Sequence, residues 1–376
     1  MYIFSKKYVI MYLIGVIAME PFKAQKLPHD YDFNTELINL LCEAKEAYGE
    51  YKGFLKNMSF DYKFLLESLL INDIYYSCKI DNLKISKEDM FNMPYRVKDN
   101  NSIIFNNLKK TFMFSIANSN QKGFNVSLFN GINKNVFLGC KKESGTKGSG
   151  HFRKTQTYIL KPGLAGSSVS FVPPVYGEIS SLMKNLCEYL NDNNDESFIA
   201  LSLFHFQFER IHPYLNGNGL IGRLLIPVIL SYYKNEPPIL FLSESMEHFK
   251  NTYFTLLSAN EEVLPIHFIK FFLQCVIKQC SFNIKKIKQL NKVYKNDYEA
   301  FKEVIGGSTI YKVYPIIIKR VVFTTNDIVV DTGLHINSVN KVLNKLVEAG
   351  YLIKEKKSHD NRVTFKYKNM YDAFVN

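Results

Sequence analysis

The sequence has few cysteines, and their spacing does not suggest a metal site or a disulfide framework. Six cysteines are spread over 376 residues with no Cys-x-x-Cys pair. This excludes the common zinc-binding patterns and the small secreted domains that depend on disulfides. We therefore expect reduced thiols in a cytoplasmic protein, because disulfides are rare in that compartment.

The sequence also lacks an apolar run long enough to cross a bilayer, which takes about 20 residues. The nearest candidate is the run Tyr8–Met19, which follows Lys6 and Lys7. Three interpretations stay open for residues 1–19: an extension that is not part of the fold, with translation starting at Met19, an extra N-terminal helix, or a signal peptide. We favour the extension and expect no membrane contact.

Acidic residues are outnumbered by basic ones, 35 to 47, which gives a formal net charge of +12. Excess positive charge favours acidic, nucleotide-bearing or nucleic-acid partners. The alternative is that lysine is simply frequent in the source proteome. An apolar content of 47% argues against disorder, and the length is enough for two or three folded domains.

One short polar loop separates two strongly apolar stretches. The stretch Ser197–Arg210 is followed by Ile-His-Pro-Tyr-Leu-Asn-Gly-Asn-Gly-Leu-Ile-Gly-Arg and then by more apolar residues. We expect a buried helix, a glycine-rich loop and a second buried helix. Glycine lets a ligand approach the main chain, and a helix N terminus attracts anions. With His212 as a base and Arg223 as a cation, the loop indicates chemistry on a phosphate-bearing substrate. The glycines assigned to this loop are Gly217, Gly219 and Gly222.

This loop resembles the signature of the Fic family, His-Pro-Phe-x-(Asp/Glu)-Gly-Asn-Gly-Arg-x-x-Arg. The family's usual activity is transfer of AMP from ATP to a protein hydroxyl. The resemblance implies that His212 is the catalytic base, a role that suits an imidazole whose ordinary pKa is near neutral. It also implies that ATP is the substrate and that Arg223 binds its terminal phosphates. The backbone N–H groups implied to bind phosphate oxygens are those of Gly217, Asn218 and Gly219.

Two positions depart from the signature. Asn216 stands where the family has the acid that holds Mg²⁺, and Leu220 stands where it has the first arginine. Asparagine offers a hard cation only a neutral oxygen. The resemblance therefore implies a doubtful Mg²⁺ position at Asn216 and an activity that is lowered, altered in its nucleotide donor, or lost.

A predicted helix from Asp61 to Lys79 runs into Ser-Cys-Lys-Ile-Asp-Asn. This end resembles the inhibitory motif (Ser/Thr)-x-x-x-Glu-(Gly/Asn) of one Fic class, with Ser77, Asp81 and Asn82 at the defined positions. In that class the glutamate pairs with the arginine equivalent to Arg223 and blocks the place of the ATP γ-phosphate. Because aspartate is shorter, we expect a pair that is strained, water-bridged or absent. The alternative is an ordinary helix end with Asn82 in the left-handed conformation.

Two β-prone runs predict a hairpin over residues 151–172. The expected strands are Gly150–Ile159 and Val169–Val172, with a turn over Lys161–Ser168. In the Fic family a hairpin here, called the flap, holds the target segment by strand addition. A structural hairpin with no partner is the alternative.

Two residues outside the loop, Tyr253 and His205, each have a functional and a structural interpretation. In the family an aromatic residue of a later helix packs on the adenine, and Tyr253 is the candidate, with core packing as the alternative. His205 lies among apolar residues, so we expect a satisfied core histidine and no metal ligand. Other predicted segments are helices at Asn34–Lys56, Asn106–Asn118, Val175–Leu190, Glu244–Ser258 and Leu264–Leu290, short apolar pieces over Gly123–Cys140, and a connector at Tyr294–Ile305.

The C-terminal part resembles a winged helix over residues 326–367, with helices Asn326–Asp331 and Val339–Ala349 followed by two strands. Asn337 or Ser338 is the expected cap of the second helix. Its outward residues and the hairpin lysines form a basic face suited to DNA phosphates, and a protein-docking or dimerisation module is the alternative. The face comprises Ser338, Asn340, Lys341, Asn344, Lys345, Lys354, Lys356, Lys357 and Arg362.

Together these patterns predict a mainly α chain: a helical region over 20–105 with the inhibitory-type helix, an all-helical Fic core over 106–292 with its flap, and a winged helix over 306–376. Two functions follow. The first is a protein adenylyltransferase, with another protein or itself as the target, held in check by Asp81. The second is a catalytically impaired Fic scaffold that senses nucleotide or binds DNA. A homodimer is possible.

Overall fold

The structure is a computed structural model that describes residues 20–29, 31–95, 99–141, 148–163, 166–192, 197–259, 265–356 and 363–375. The predicted N-terminal extension over residues 1–19 lies outside the described residues, as do Lys357 and Arg362. Across the described ranges, no helix combines the length and apolar character that a membrane span requires. All six cysteines are free thiols.

The mainly α class with one hairpin flap is confirmed. The helices are α1 (Thr35–Lys56), α2 (Lys63–Ile80), α3 (Asn100–Lys122), α4 (Val126–Val136), α5 (Ile179–Asn191), α6 (Ser197–Ile211), α7 (Asn218–Lys234), α8 (Ser243–His248), α9 (Lys250–Ser258), α10 (Pro265–Ile305), α11 (Thr309–Arg320), α12 (Thr325–Thr332), α13 (Ile336–Glu348) and α14 (Lys368–Val375). Two short 3-10 helices, Met90–Tyr95 and Tyr176–Glu178, lie between them. The strands are β1 (Ile159–Gly163), β2 (Gly166–Phe171), β3 (Val322–Phe323), β4 (Leu352–Lys356) and β5 (Val363–Tyr367).

Helix α6 forms the centre of the core. Every residue from Phe198 to Ile211 is buried, which is the pattern of a helix covered on all sides. Helix α7 packs beside it and is buried from Leu220 to Leu230. The loop between these two helices is therefore anchored at both ends by buried helices.

Several predicted boundaries in the first half are wrong. Helix α1 begins as expected, with the Asn34 side chain accepting the Leu37 N–H at 3.0 Å. The segment Gly123–Cys140 contains helix α4, which starts at an Asn125 cap and buries Leu128, Phe129, Ile132 and Val136 on one face. Asparagines and Gly131 lie between these apolar residues, so the helical periodicity is difficult to recognise in the sequence. Helix α3 starts six residues earlier than predicted, because Asp99 and Ser102 form a capping box there.

The flap is confirmed as a hairpin, but its strands are shifted. Strand β1 begins at Ile159, so most of the predicted strand Gly150–Ile159 is not in the sheet, and much of the predicted turn Lys161–Ser168 is. Arg153 and Gln156 explain the shift, since their side chains bond main-chain carbonyls at the base of the hairpin instead of extending it.

The prediction of a connector at Tyr294–Ile305 is wrong, because helix α10, which is 41 residues long, runs through this segment. Asp297 lies buried on this stretch and accepts hydrogen bonds from the Tyr367 hydroxyl at 2.7 Å and the Asn369 amide at 2.8 Å. A buried carboxylate needs such partners, and they fix the C-terminal unit to the long helix. The predicted helix Glu244–Ser258 is divided at Phe249 into α8 and α9.

The C-terminal unit consists of α11 to α14 and a sheet with strand order β3-β5-β4. Sequence patterns missed α11 and α14, and the cap of α13 is His335 instead of Asn337 or Ser338. The winged-helix assignment stays a prediction. The predicted outward residues of α13 are exposed: Ser338, Asn340, Lys341, Asn344 and Lys345.

Candidate active site

His212 stands at the end of α6 in an unusual backbone conformation. Its φ is +48°, a left-handed value that a non-glycine residue adopts at a cost, most often at functional sites. Arg153 holds the strained segment: its Nε donates to the His212 carbonyl at 2.9 Å, and its backbone N–H donates to the Pro213 carbonyl at 2.9 Å. The guanidinium also bonds the Pro174 carbonyl, so one buried arginine joins the flap base to the catalytic loop.

The loop after His212 is closed by Asn218. Its side chain accepts the Tyr214 N–H at 2.9 Å and donates to the Tyr214 carbonyl at 2.8 Å. Gly217 adopts φ +79°, and a Cβ there would lie 2.8 Å from the Phe137 ring, so only glycine fits. The loop is therefore preformed, with its last residue leading directly into α7.

Gly219 and Gly222 belong to helix α7 and not to the loop, which corrects the assignment of three loop glycines. A Cβ at Gly222 would lie 2.3 Å from Glu209 Oε1 and 3.1 Å from His205 Nδ1. Gly222 thus lets α6 and α7 approach closely. Gly219, in contrast, faces the side chains of Arg223 and Asp81.

Arg223 is buried and held by the end of helix α2. Its Nη2 donates to Asp81 Oδ1 at 2.8 Å and to the Ser77 carbonyl at 3.1 Å, and its Nε donates to Ser77 Oγ at 2.9 Å. The expectations of a water-bridged or absent pair are wrong, because the aspartate reaches the arginine directly, and strain in the pair stays a prediction. Asn82 follows at φ +58°, in the left-handed conformation expected for a helix end.

The Asp81–Arg223 pair lies over the N terminus of α7. A Cβ at Gly219 would be 3.0 Å from Asp81 Oδ1 and 2.8 Å from Arg223 Nη1. The first N–H groups of a helix lack partners in the helix and favour a negative charge. The Asp81 carboxylate therefore lies where an anion would meet the Gly217–Gly219 main chain.

His212 is neutral at physiological pH in this environment. Burial, and then the Arg153 cation, lower the pKa of His212 to about 4, while the Glu209 carbonyl opposes that shift. The unprotonated ring can accept a proton, which is what a general base must do.

Tyr253 lies in the core. Its side chain is fully buried, its hydroxyl is 2.8 Å from His205 Nε2, and its ring stacks on Phe271. His205 is likewise fully buried, as expected for a core histidine. The adenine-binding role of Tyr253 stays a prediction, and in this conformation its ring exposes no surface to a nucleotide.

The metal position lacks a charged protein ligand. Asn216 is partly exposed, and its main-chain carbonyl accepts a hydrogen bond from the Asn133 side-chain amide at 3.1 Å. Leu220 is buried against apolar residues of α2 and α3 and does not face the loop. Among the described residues no group of three His, Cys, Asp or Glu side chains could hold a metal ion. These residues do not fit a protein-held Mg²⁺, so no step below depends on one.

Two further residues belong to this region. Arg153 is one, and in the sequence it begins an Arg-x-x-Gln pattern that ends at Gln156. The other is Lys250, whose Nζ donates to the Lys79 carbonyl and to Asn82 Oδ1, both at 3.3 Å. It fixes the end of α2 to the start of α9, and no local pattern marks it.

Comparisons with known proteins agree with this geometry. Residues 124–230 match the family model described as the Fic/DOC family, and residues 299–374 match the model described as the TFIIE alpha subunit. The Fic/DOC match thus covers the segment from Phe124 to Leu230, which contains the loop from His212 to Arg223.

The similar curated proteins include the protein adenylyltransferases Fic of Drosophila grimshawi and Drosophila ananassae. Each is 29% identical over 133 residues, which is 34% of this chain and 24% of the relative. The match thus spans about a quarter of the length of those relatives.

Solved structures support the fold. A Fic family protein from Desulfovibrio desulfuricans has a TM-score of 0.54 at 18% identity and covers 90% of this chain and 97% of its own. A Fic domain containing signaling protein from Bacteroides thetaiotaomicron has a TM-score of 0.51 at 18% identity, covering 65% and 97%.

Proposed function

We propose that this protein transfers AMP from ATP to a hydroxyl group of a protein, and that Asp81 restrains the reaction. The observation that carries the proposal is the arrangement around α7. The buried cation of Arg223 and the Asp81 carboxylate lie beside Gly219 at the start of α7, and Asp81 is close enough to influence the pKa of the neutral His212 at the end of α6.

The reaction follows from these positions. His212 accepts the proton of the attacking hydroxyl, whose oxygen forms a bond to the α-phosphorus. The bond from that phosphorus to the β-bridging oxygen breaks, and pyrophosphate leaves. Preorganised N–H donors at the helix start would stabilise the negative charge that develops on the phosphate oxygens. The Asp81 carboxylate must move away from Arg223 before the terminal phosphates can use that cation.

Mass spectrometry tests the proposal directly. The purified chain is incubated with ATP and MgCl₂ or MnCl₂, alone and with a lysate, and protein is searched for added AMP. We expect modification by Asp81→Gly and none by Asp81→Gly/His212→Ala. If Asp81→Gly adds no AMP while Asp81→Gly/Asn216→Asp does, the wild-type signature is inactive and the proposal fails.

A second function, DNA binding by the C-terminal unit, is favoured by the exposed basic face of α13. Each phosphate contact steepens the salt dependence of binding by about one unit. On duplex DNA we expect Lys341→Glu/Lys345→Glu to weaken binding and to reduce the log–log salt slope by about two. Lys312→Glu, exposed on α11, is the control. Equal slopes for both variants, or no binding at low salt, would exclude this face.

A further inference from the structure

The segment Glu20–His29, which we call the arm, crosses helices α5 and α6 without forming a helix or strand, and it bends at Leu27 and Pro28. Side-chain amides hold its main chain. Asn185 accepts the Leu27 N–H at 2.8 Å and donates to the Leu27 carbonyl at 2.9 Å, and Gln207 donates to the Gln25 carbonyl at 2.6 Å. Contacts to the main chain recognise a segment largely independently of its side chains.

The start of the arm reaches the flap. The Phe22 N–H donates to the carbonyl of Val172, the residue after β2, at 2.8 Å. The Phe22 ring centroid lies 3.8 Å from the Arg210 guanidinium carbon and 5.5 Å from the Phe171 ring centroid. A cation–π contact is stronger when the cation is removed from water, and Arg210 is buried. This contact gives the groove a preference for an aromatic side chain at that position.

Little of the arm is buried. Leu27 is its one buried residue among those described, and the side chains of Glu20, Lys23, Gln25, Lys26 and Pro28 are exposed. Segments with few buried apolar contacts open locally at low free-energy cost. The arm therefore lies on the surface, and within it Leu27 packs into the hydrophobic core while Ala24 packs partly buried against that core.

We infer that the groove formed by Asn185, Gln207, Arg210 and Val172 is a binding site for a peptide segment without helix or strand, and that the arm is its exchangeable occupant. The partner it fits is the arm of a second copy of this chain. The side-chain requirements are an aromatic ring over Arg210 and a leucine five positions later beside Asn185. Main-chain hydrogen bonds supply affinity and the two side chains supply specificity, as in other peptide-recognition sites.

A cut in the full chain tests the inference without ATP, so its outcome is independent of the proposed transferase activity. A protease site is inserted between Tyr31 and Asp32, the purified chain is cleaved, and labelled peptide Glu20–His29 is titrated while fluorescence anisotropy is recorded. We expect the labelled peptide to displace the cut arm in a saturable way. Asn185→Leu should weaken binding at least tenfold, because it removes both bonds to Leu27.

Matched controls separate recognition from general adhesion. Lys184→Ala, exposed on the same helix, should bind as the parent does, and the peptide with Lys23→Ala should match the unaltered peptide. The peptide with Phe22→Ala should bind more weakly. The inference is overturned by equal binding to Asn185→Leu and Lys184→Ala, by no saturable binding to a cut chain with an unchanged melting curve, or by unfolding on cleavage, which would make the arm part of the core.

Discussion

Arg223 and Asp81 form a direct ion pair in which the two partners are unequally buried. The arginine side chain is 1% exposed, whereas the aspartate side chain is 26% exposed. A buried cation is costly without a partner, so Asp81 stabilises the packing of α2 against α7 while it covers the helix N terminus. Because solvent reaches the aspartate but not the arginine, Asp81 is the partner that can be displaced.

Replacing Asp81 should separate its effect on nucleotide binding from its effect on stability. We expect Asp81→Gly to bind ATP roughly tenfold more tightly, about 1.4 kcal/mol, because the anion position over Gly219 becomes free. The melting temperature should fall, since Arg223 loses its charged partner. Calorimetric titration with a non-hydrolysable ATP analogue and thermal denaturation measure the two quantities.

Asp192 provides a matched control for this substitution. It is also the C-cap of a helix, α5, with φ −103° and ψ 16° against −85° and 10° at Asp81, and it is exposed. Asp192→Gly should leave the ATP affinity unchanged. Weaker ATP binding by Asp81→Gly than by Asp192→Gly would show that Asp81 helps to hold the nucleotide and does not exclude it.

The sequence located the residues of this pair but not their contact. The positions of Ser77, Asp81 and Arg223 follow from motif spacing, and so does the loop that presents His212. The direct bond depends on where α2 lies, and long-range contacts such as Asp73 accepting the Ser243 N–H at 2.8 Å fix that placement. The spacing of residues along the sequence does not reveal such contacts. For the same reason the sequence predicts Gly222 in the loop, whereas in the structure it lets Glu209 and His205 approach α7.

The protonation of His212 can be measured directly. Its folded pKa of about 4 lies below the ordinary value of 6.5, so the ring stays neutral from pH 5.5 to 8. We expect its ¹³Cε1 resonance, assigned by comparison with His212→Gln, to shift only below pH 5. A midpoint near 6.5 would mean that Arg153 and burial do not act on the ring as the structure indicates.

The lowered pKa of His212 also makes the stability of the folded chain depend on pH. The unfolded chain takes up a proton at His212 between pH 6.5 and 4 that the folded chain does not, so wild-type stability is lost over that range as the pH falls. His212→Gln should therefore become more stable relative to the wild type as the pH is lowered from 6.5 to 4.5. Urea denaturation at both pH values measures the difference, and a pH-independent difference would contradict the assignment.

Leu220 should not tolerate the arginine that the family signature has at this position. Its side chain is 3% exposed and lines a small, mainly apolar cavity with Leu70, Ile74 and Phe112. The Asp73 carboxylate also lines this cavity but already accepts the Ser243 N–H. Burying an arginine there should lower the free energy of unfolding by about 3–5 kcal/mol. Leu220→Met, which conserves volume, should cost less than about 1.5 kcal/mol. Equal urea midpoints for Leu220→Arg and Leu220→Met would show that the longer side chain reaches the loop.

Glu209 should make stability depend on pH in the direction opposite to His212. Burial raises the pKa of Glu209 to about 8, against the opposing effect of Arg223, and its Oε1 has no hydrogen-bond partner among the described residues. The folded chain therefore keeps a proton between pH 4.5 and 8 that the unfolded chain releases, and wild-type stability falls as the pH rises through that range. Glu209→Gln holds no such proton, so its stability relative to the wild type should increase from pH 5 to pH 7.5, by at most about 1.4 kcal/mol per pH unit. Urea denaturation at both pH values measures this, with Glu43→Gln on the exposed face of α1 as the control. A difference between wild type and Glu209→Gln that stays constant or shrinks over that range would mean that Arg223 keeps the carboxylate ionised, and Glu209 would then be a second ion-pair partner for Arg223 beside Asp81.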